Sequence, residues 1–369
     1  MWRRVLALIV KELLAVLKDA KSRSVLIGPP LIQLIVFGYA ASFDLNHVPI
    51  AVYNQDQSIV SRDLVARFSG APAFRVVNTL RSGRQIDNLI DSRQAEMVLV
   101  IDRRFTRALL TGKPAPVQVI VDGRNSNTAL LIEGYANTIL SNFALAWGAA
   151  HGGPAPPAVL IERARYNPTL NSHWFIIPGI IALLTQVITL LVVGLSIARE
   201  REMGTFDQLL VTPLRQIDIL LGKSLPGLLI GAVEATVIVA ATVWWFDIPL
   251  RGGPLPLYFG LLLFIVSVTG IGLMISALAI TQQQALLGAF LFMVPSIILS
   301  GFATPIANMP VWVQDLTLLN PMRYFLVIVR SVFLEGADLP SLASQFWPMA
   351  AIGVVTLTIA GWLFRRRVS

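Results

Sequence analysis

The sequence contains no cysteine and little charge. Its 369 residues include no Cys, three His and only 14% charged residues, against roughly 25% in soluble domains. The lack of cysteine excludes disulfides, thiolate metal sites and a cysteine nucleophile. The histidines lie far apart in the sequence, so we expect no histidine metal cluster. A hydrophobic content of 55% and a mean hydropathy of +0.69 indicate a membrane protein.

Apolar stretches of about 20 residues predict the membrane-spanning helices. They are residues 25–43, 174–198, 224–246, 256–280, 285–303 and 346–364. Lys and Arg cluster in residues 1–24, in the 199–223 loop and in the 365–369 tail. The positive-inside rule therefore predicts that both termini and this loop are cytoplasmic. Two cytoplasmic termini require an even number of spans, which agrees with six.

Residues 2–20 are predicted to form an amphipathic helix in the headgroup region, because a span follows at once. The apolar arc of this helix contains Trp2, Val5, Leu6, Ile9, Leu13, Val16 and Leu17. Its opposite, basic side contains Arg3, Arg4, Lys11 and Lys18. Basic residues occur throughout this segment rather than in a short leading cluster, which favours a retained anchor over a cleaved signal peptide.

Residues 44–172 are predicted to form an external α/β domain with a largely parallel sheet, because strand-like and helix-like segments alternate. The predicted strands are 49–53, 74–78, 97–101, 117–121 and 159–163. The predicted helices are 58–69, 82–93, 103–111 and 125–149. Residues 128–150 are apolar, but a seventh span would move one basic terminus outside. We therefore assign them to this domain. The domain lacks the alternation of aromatic and basic residues that is typical of nucleic-acid binding, so we expect no binding of nucleic acid.

Residues 304–345 are too polar for one span and too apolar for a free loop. We predict a pair of short external helices that re-enter the bilayer and pack against the spans, since irregular backbone is not tolerated against lipid.

The loop 199–213 carries the most informative motif. A charged helix leaves the membrane, Gly204 interrupts it, and Thr205 can cap a second short helix. Phe206, Leu209 and Leu210 give that helix an apolar face. Such a face either docks another protein or rests on the membrane surface.

This stretch, RERE-MGTFDQLLVTP in one-letter code, resembles the hallmark of ABC-2-type permeases, the membrane subunits of one class of ATP-binding-cassette exporters. Three later motifs resemble the same family between its fifth and sixth spans: Gly301-Phe302-Ala303-Thr304-Pro305, Met309-Pro310-x-Trp312 and Leu319-Asn320-Pro321-x-x-Tyr324. The resemblance covers essentially the whole chain, and the large external domain is similar to that of the bacterial multidrug-exporter branch.

The resemblance implies a non-enzymatic permease in the bacterial inner membrane that exports an amphipathic, drug-like or lipid-like molecule. ATP and Mg²⁺ would be bound by partner cytosolic ATPase subunits, and this chain would hold no cofactor. The other implied partners are a second permease copy or a sister permease, a periplasmic membrane-fusion protein and membrane lipid, but no nucleic acid. The residues implied to couple to the ATPase are Arg199, Glu200, Arg201, Glu202, Gly204, Thr205, Phe206, Leu209, Leu210, Thr212 and Pro213.

A phosphate-binding loop in this chain is not expected. Gly222-Lys223-Ser224 resembles the end of such a loop, but Ile217 stands where its first glycine belongs.

Glu234 is the one ionisable residue well inside a predicted span. It either contacts a cationic substrate or a proton on the substrate path, or is a protonated carboxyl that hydrogen-bonds a neighbouring helix near Gln186. Residues 282–284, three glutamines, are predicted to form a polar cytoplasmic turn.

Three other functions fit the sequence less well than an exporter permease does. An exporter of a lipid-linked glycan is disfavoured by the large external domain, since such exporters usually have short external loops. A membrane sensor with an external ligand-binding domain would need a cytosolic signalling domain, and the cytosolic segments here are short. An intramembrane enzyme would need paired aspartates or a comparable motif, which the spans lack.

Overall fold

The computed structural model describes residues 2–18, 20–40, 45, 47–152, 165–167, 171–206 and 215–368. The chain forms two compact units. One consists of Met1–Ser42 together with Ala164–Ser369, and the other of Phe43–Arg163.

The helices and strands follow in chain order. The helices are α1 (Trp2–Lys18), α2 (Ala20–Ala40), α3 (Ile59–Ser69), α4 (Gln85–Asp91), α5 (Phe105–Leu110), α6 (Ser126–Ala150), α7 (His173–Glu202), α8 (Gln216–Trp244), α9 (Pro254–Leu278), α10 (Gln282–Ile298), α11 (Val311–Leu316), α12 (Pro321–Arg330) and α13 (Ala343–Val368). The strands are β1 (Val48–Asn54), β2 (Phe74–Thr79), β3 (Met97–Ile101) and β4 (Val117–Val121).

Among the described residues, four helices are long and apolar enough to cross a membrane, namely α7, α8, α9 and α13. A fifth span is counted if Val311–Leu319 and Pro321–Glu335, bent by 85°, are one broken span rather than a re-entrant pair. The predicted first and fifth spans fall on shorter apolar helices, Ile27–Tyr39 and Gln282–Ile298. The chain is thus a multi-pass helical membrane protein, and six spans remain a prediction.

The bend before α12 lies at the Asn320-Pro321 step. Proline has no N–H to give and fits the first turn of a helix, where that donor is unused. The Asn320 side chain accepts a hydrogen bond from the Met322 N–H at 3.1 Å and so caps α12. A local motif that stood out in the sequence therefore positions the second arm of the bent pair.

Helix α7 forms the centre of the membrane unit. Its side chains Ile177, Ile180 and Leu184 are fully buried in the largest apolar cluster of this unit. Two glycines of α8 allow α7 and α8 to approach each other closely. A Cβ on Gly227 would lie 2.2 Å from Val193 Cγ2, and one on Gly231 would lie 2.4 Å from Thr189 Oγ1. Small residues at such contacts are typical of helix pairs in membranes.

The second unit is an α/β fold. Its four-stranded sheet has the order β2-β1-β3-β4. Strand β1 is parallel to β2 and β3, whereas β4 is antiparallel to β3. The four strands lie where the strand-like runs predict them, and the sheet is largely parallel as expected. The predicted strand at 159–163 lies outside the described residues.

Helix α6 packs on this sheet through one apolar stripe. Ile132, Ala136 and Phe143 are buried in the same cluster as β1 and β3. Within the described part of the chain, α6 is not among the helices that qualify as spans. Both findings agree with the assignment of 128–150 to the α/β domain.

A charge pair fixes the turn between β4 and α6. Arg124 donates from Nη2 to Asp122 Oδ2 at 2.6 Å, and the same nitrogen donates to the Ile90 carbonyl at 2.5 Å. The hydrogen bond from Arg124 lowers the pKa of the Asp122 carboxyl to about 2. The pair therefore links the end of β4 to α4.

Candidate coupling site

The C-terminal end of α7 carries the motif that sequence analysis singled out. The Gly204 N–H donates to the Arg201 carbonyl, and the Thr205 N–H donates to the Glu200 carbonyl at 3.0 Å. Gly204 has φ of +70°, in the left-handed region that favours glycine. The helix break predicted at Gly204 is therefore confirmed, and its cause is a glycine-terminated helix end.

Glu200 is the centre of a buried ionic cluster. Its Oε1 lies 3.0 Å from Lys11 Nζ and 2.8 Å from Lys223 Nζ. Lys223 also donates to Glu12 Oε1 at 2.7 Å. The side chains of Lys223 and Glu200 are only 1% and 5% exposed. Two carboxylates and two ammonium groups balance one another, and they join α1, α7 and α8.

Arg201 binds the end of α9. Its Nη1 donates to the Ala277 and Ala279 carbonyls at 2.9 and 3.0 Å. These carbonyls belong to the C-terminal end of a helix, where the last acceptors have no partner within the helix and the dipole is negative. The guanidinium also lies 4.9 Å from the centre of the Phe206 ring. One side chain therefore joins α7 to α9 and to the segment after the break.

Glu202 binds the start of α10. Its Oε2 accepts a hydrogen bond from the Gln282 N–H at 2.8 Å. Thr281 caps the same helix by accepting from the Gln284 N–H at 3.3 Å. The prediction of a polar turn at 282–284 is wrong, because these caps make the glutamines the first turn of α10.

Phe206 does not provide an exposed apolar face. It is only 9% exposed and belongs to a cluster with Ile197, Ile219 and Phe364. Its ring meets that of Phe364 on α13 edge to face at 6.0 Å. The expectation of an exposed Phe206 is therefore wrong. The predicted coupling residues Leu209, Leu210, Thr212 and Pro213 lie outside the described residues.

Helix α1 packs on α8 instead of only resting on lipid. Val5 and Leu8 are buried, and Leu8 lies against Gly222, where an added Cβ would be 2.1 Å from Leu8 Cδ2. Leu6 and Leu17, predicted on the same apolar arc as Val5, are exposed. Lys11, predicted on the outer basic side, contacts Glu200. The helix is amphipathic as predicted, but it is rotated so that part of its polar side faces the bundle.

The sequence did not identify Glu12 and Lys223 as partners in this site. Lys223 is a lone cation in an apolar helix, and such a residue needs a counter-charge when buried. Its partner Glu12 lies 211 positions away in the sequence. A single sequence offers no pairing signal across that distance.

A second polar group lies inside the bundle and links α7, α10 and the Asn320-Pro321 step. The Ser296 Oγ lies 3.2 Å from Gln186 Oε1 and 2.8 Å from Asn320 Oδ1. Asn320 Nδ2 donates to the Ser296 carbonyl at 2.7 Å. Within the described residues, neither carboxyl oxygen of Glu234 has a hydrogen-bond partner. Of the two alternatives for Glu234, the hydrogen bond to a neighbouring helix near Gln186 is therefore not observed among the described residues.

The fold and this site define a helical membrane protein with an inserted α/β unit. Hydrogen bonds and ion pairs join the C-terminal end of its central helix, α7, to neighbouring helices. Residues 24–362 match the family described as ABC-2 family transporter protein. The chain belongs to this family, as the resemblance of the loop motif predicts.

Similar proteins carry related names. YbhR of Escherichia coli strain K12, named as a probable multidrug ABC transporter permease, is 40% identical over 369 residues, which covers 100% of both chains. YbhS of the same strain, with the same description, is 33% identical over 344 residues, 91% of this chain and 89% of the relative. YhhJ of that strain, an inner membrane transport permease, is 30% identical over 360 residues, 94% and 95% of the two chains.

Proposed function

We propose that this chain is the permease subunit of an ABC-2 exporter that moves an amphipathic small molecule outward across a bacterial inner membrane. ATP and Mg²⁺ act on separate cytosolic ATPase subunits. The names of the relatives support the transport of drug-like compounds. The observation that carries the proposal is the set of ion pairs and hydrogen bonds at the C-terminal end of α7, through which Glu200, Arg201 and Glu202 bind four other helices.

The contacts suggest how force enters the membrane. The ATPase engages the segment from Gly204 to Pro213. A displacement of that segment reaches α1 and α8 through Glu200, α9 through Arg201 and α10 through Glu202. Since these helices are fixed to one point, they shift as a rigid body, which is how alternating access operates in many transporters.

The Gly222-Lys223-Ser224 stretch does not suit ATP hydrolysis. Lys223, the lysine of the Gly222-Lys223-Ser224 resemblance, lies within α8 and pairs with Glu12 and Glu200. A phosphate-binding lysine must instead follow a glycine-rich loop whose N–H groups face the ligand. This geometry supports a partner chain as the ATPase.

The proposed topology places six spans in the membrane, with α2 and α10 as the first and fifth. Both termini and the 199–223 loop are cytoplasmic, and the α/β unit is periplasmic. A second permease copy or a sister permease completes the translocation path. A membrane-fusion protein can dock on the α/β unit.

The experiment is reconstitution with the ATPase encoded beside this chain. We expect the two proteins to copurify and to drive ATP-dependent uptake of a fluorescent amphiphile into inverted membrane vesicles. The control replaces ATP by a non-hydrolysable analogue, which should abolish uptake. Failure of the two proteins to form a complex, or reporter fusions that place residues 204–213 outside the cell, would contradict the proposal.

A further inference from the structure

Several buried polar atoms in the middle of the bundle have no hydrogen-bond partner among the described residues. On α7 they are Thr185 Oγ1, Gln186 Nε2 and Thr189 Oγ1, all from side chains with no exposed surface. On α8 they are both carboxyl oxygens of Glu234. On α9 the hydroxyl of Thr269 joins them. Buried polar side chains are usually satisfied, so this group needs an explanation.

Other threonines of the same unit show the usual solution. The hydroxyls of Thr236, Thr242 and Thr356 donate to the carbonyl one turn earlier, at 2.7 to 2.8 Å. Such a bond satisfies a hydroxyl inside a membrane helix. Thr185, Thr189 and Thr269 do not make it, although each lies in a regular helix. Their hydroxyls are therefore available to accept hydrogen bonds from another donor.

Helix register places these side chains at one level of the bundle. Gly227 faces Val193 and Gly231 faces Thr189, so α7 and α8 are antiparallel in this region. Continuing the register brings Glu234 beside the turn of Thr185 and Gln186. Ser276 Oγ accepts from the Ile197 N–H at 3.0 Å, and Gly272 lies against Val193, so α9 runs parallel to α7. Continuing that register brings Thr269 beside the turn that contains Thr189.

Two basic side chains of the neighbouring described segments, Lys223 and Arg330, lie far from this level. Lys223 is paired with Glu12 and Glu200, and 11 residues separate it from Glu234 along α8, about 16 Å at the helical rise. The Arg330 guanidinium lies over the Phe175 ring at 3.6 Å. Phe175 precedes Gln186 by 11 residues, again about 16 Å along α7. Neither cation can neutralise Glu234 in this conformation.

The polar groups at this level are one acid, the Gln186 amide nitrogen, which can only donate, and threonine hydroxyls, which can donate or accept. An isolated carboxylate in an apolar interior costs several kcal/mol, and it is kept in membrane helices chiefly where it meets a cation or a cavity. A protonated amine brings one positive charge and up to three N–H donors. These match the two carboxyl oxygens of Glu234 and the neighbouring threonine hydroxyls.

We infer that this level binds the protonated amino group of the transported amphiphile, with Glu234 as its counter-ion and Thr185 and Thr189 as hydrogen-bond acceptors. The inference rests on the proposed exporter function and narrows its substrate to amphiphilic amines. The apolar part of such a molecule lies against the aliphatic side chains of the same helices.

The test measures binding to the purified full-length permease in nanodiscs, without the ATPase. The probe is dansylcadaverine, a primary amine with an environment-sensitive fluorophore, and its matched control is the neutral N-acetyl derivative. We expect wild-type protein to bind the amine saturably and at least tenfold more tightly than the acetylated probe. Glu234→Gln should lose at least tenfold in affinity for the amine, whereas Glu234→Asp should keep most of it. Glu335→Gln, at an exposed glutamate, should have no effect.

The inference is overturned if the wild type binds neither probe, if it binds both equally, or if Glu234→Gln keeps the affinity for the amine. Because the assay omits the ATPase, its result is separate from the exporter proposal. Glu234-dependent amine binding by a permease that forms no ATPase complex would contradict the exporter role alone. ATP-driven transport that depends neither on an amino group in the substrate nor on Glu234 would contradict the substrate class alone.

Discussion

The two halves of α7 differ in whether their polar side chains have hydrogen-bond or ion-pair partners. At the C-terminal end, Glu200, Arg201 and Glu202 each bind a neighbouring helix at 2.8 to 3.0 Å. In the middle, Thr185 and Thr189 are fully buried, yet their hydroxyls have no partner in the described part of the chain. Satisfied polar groups fix a structure, whereas unsatisfied ones are costly unless something else binds them. The comparison therefore separates a region that holds the helices from one that is suited to a ligand.

The paired end should be sensitive to the loss of one charge. Glu200→Ala leaves Lys223 with Glu12 as its only carboxylate and removes the partner of Lys11. Removing one member of a buried ion pair costs about 3–5 kcal/mol. We expect the free energy of unfolding, measured by chemical denaturation in detergent, to fall by roughly this amount. This is the largest effect expected of any single change discussed.

The control for that change is Glu335→Ala, because Glu335 is exposed. Its effect should stay within about 0.5 kcal/mol, as for other surface substitutions. Equal stability of the Glu200 and Glu335 variants would remove the distinction between the two halves of α7.

A smaller effect is expected where α8 packs on the middle of α7. Gly231→Ala would place a Cβ 2.4 Å from Thr189 Oγ1, so the threonine or the helix must move. Overpacking of this kind costs about 1–3 kcal/mol. The same denaturation measurement applies, with Gly28→Ala as control, since nothing lies within 4 Å of a Cβ at Gly28. If both alanine variants are equally stable, α7 and α8 are not in close contact at this level.

Local sequence patterns predicted much of the fold. Strand-like runs located β1 to β4, and the even number of spans required by two cytoplasmic termini kept residues 128–150 out of the predicted spans. Gly204 marked the end of α7 because a left-handed residue there favours glycine. The signals for the strands and for Gly204 lie within a few residues of the features that they predict, whereas the argument for 128–150 depends on the basic residues at the two termini.

The rest of the site depends on contacts that one sequence does not encode locally. Lys11 meets Glu200 across 189 positions. Phe206 looked like an exposed docking residue, but Phe364 and its neighbours cover it. The glutamines at 282–284 looked like a turn, but Glu202 and Thr281 cap them as a helix start. In each case a partner distant in the sequence overrides the local pattern.

The most direct test of force entry at the end of α7 uses Gly204, whose φ is +70° and at which an added Cβ meets nothing within 4 Å. A β-branched residue is strained there, whereas asparagine tolerates this conformation. The measurement is the number of amphiphile molecules transported per ATP hydrolysed by the reconstituted permease–ATPase complex. We predict that Gly204→Val lowers this ratio several-fold while ATP hydrolysis continues, and that Gly204→Asn stays near the wild type. A ratio for Gly204→Val equal to that of the wild type would contradict the account.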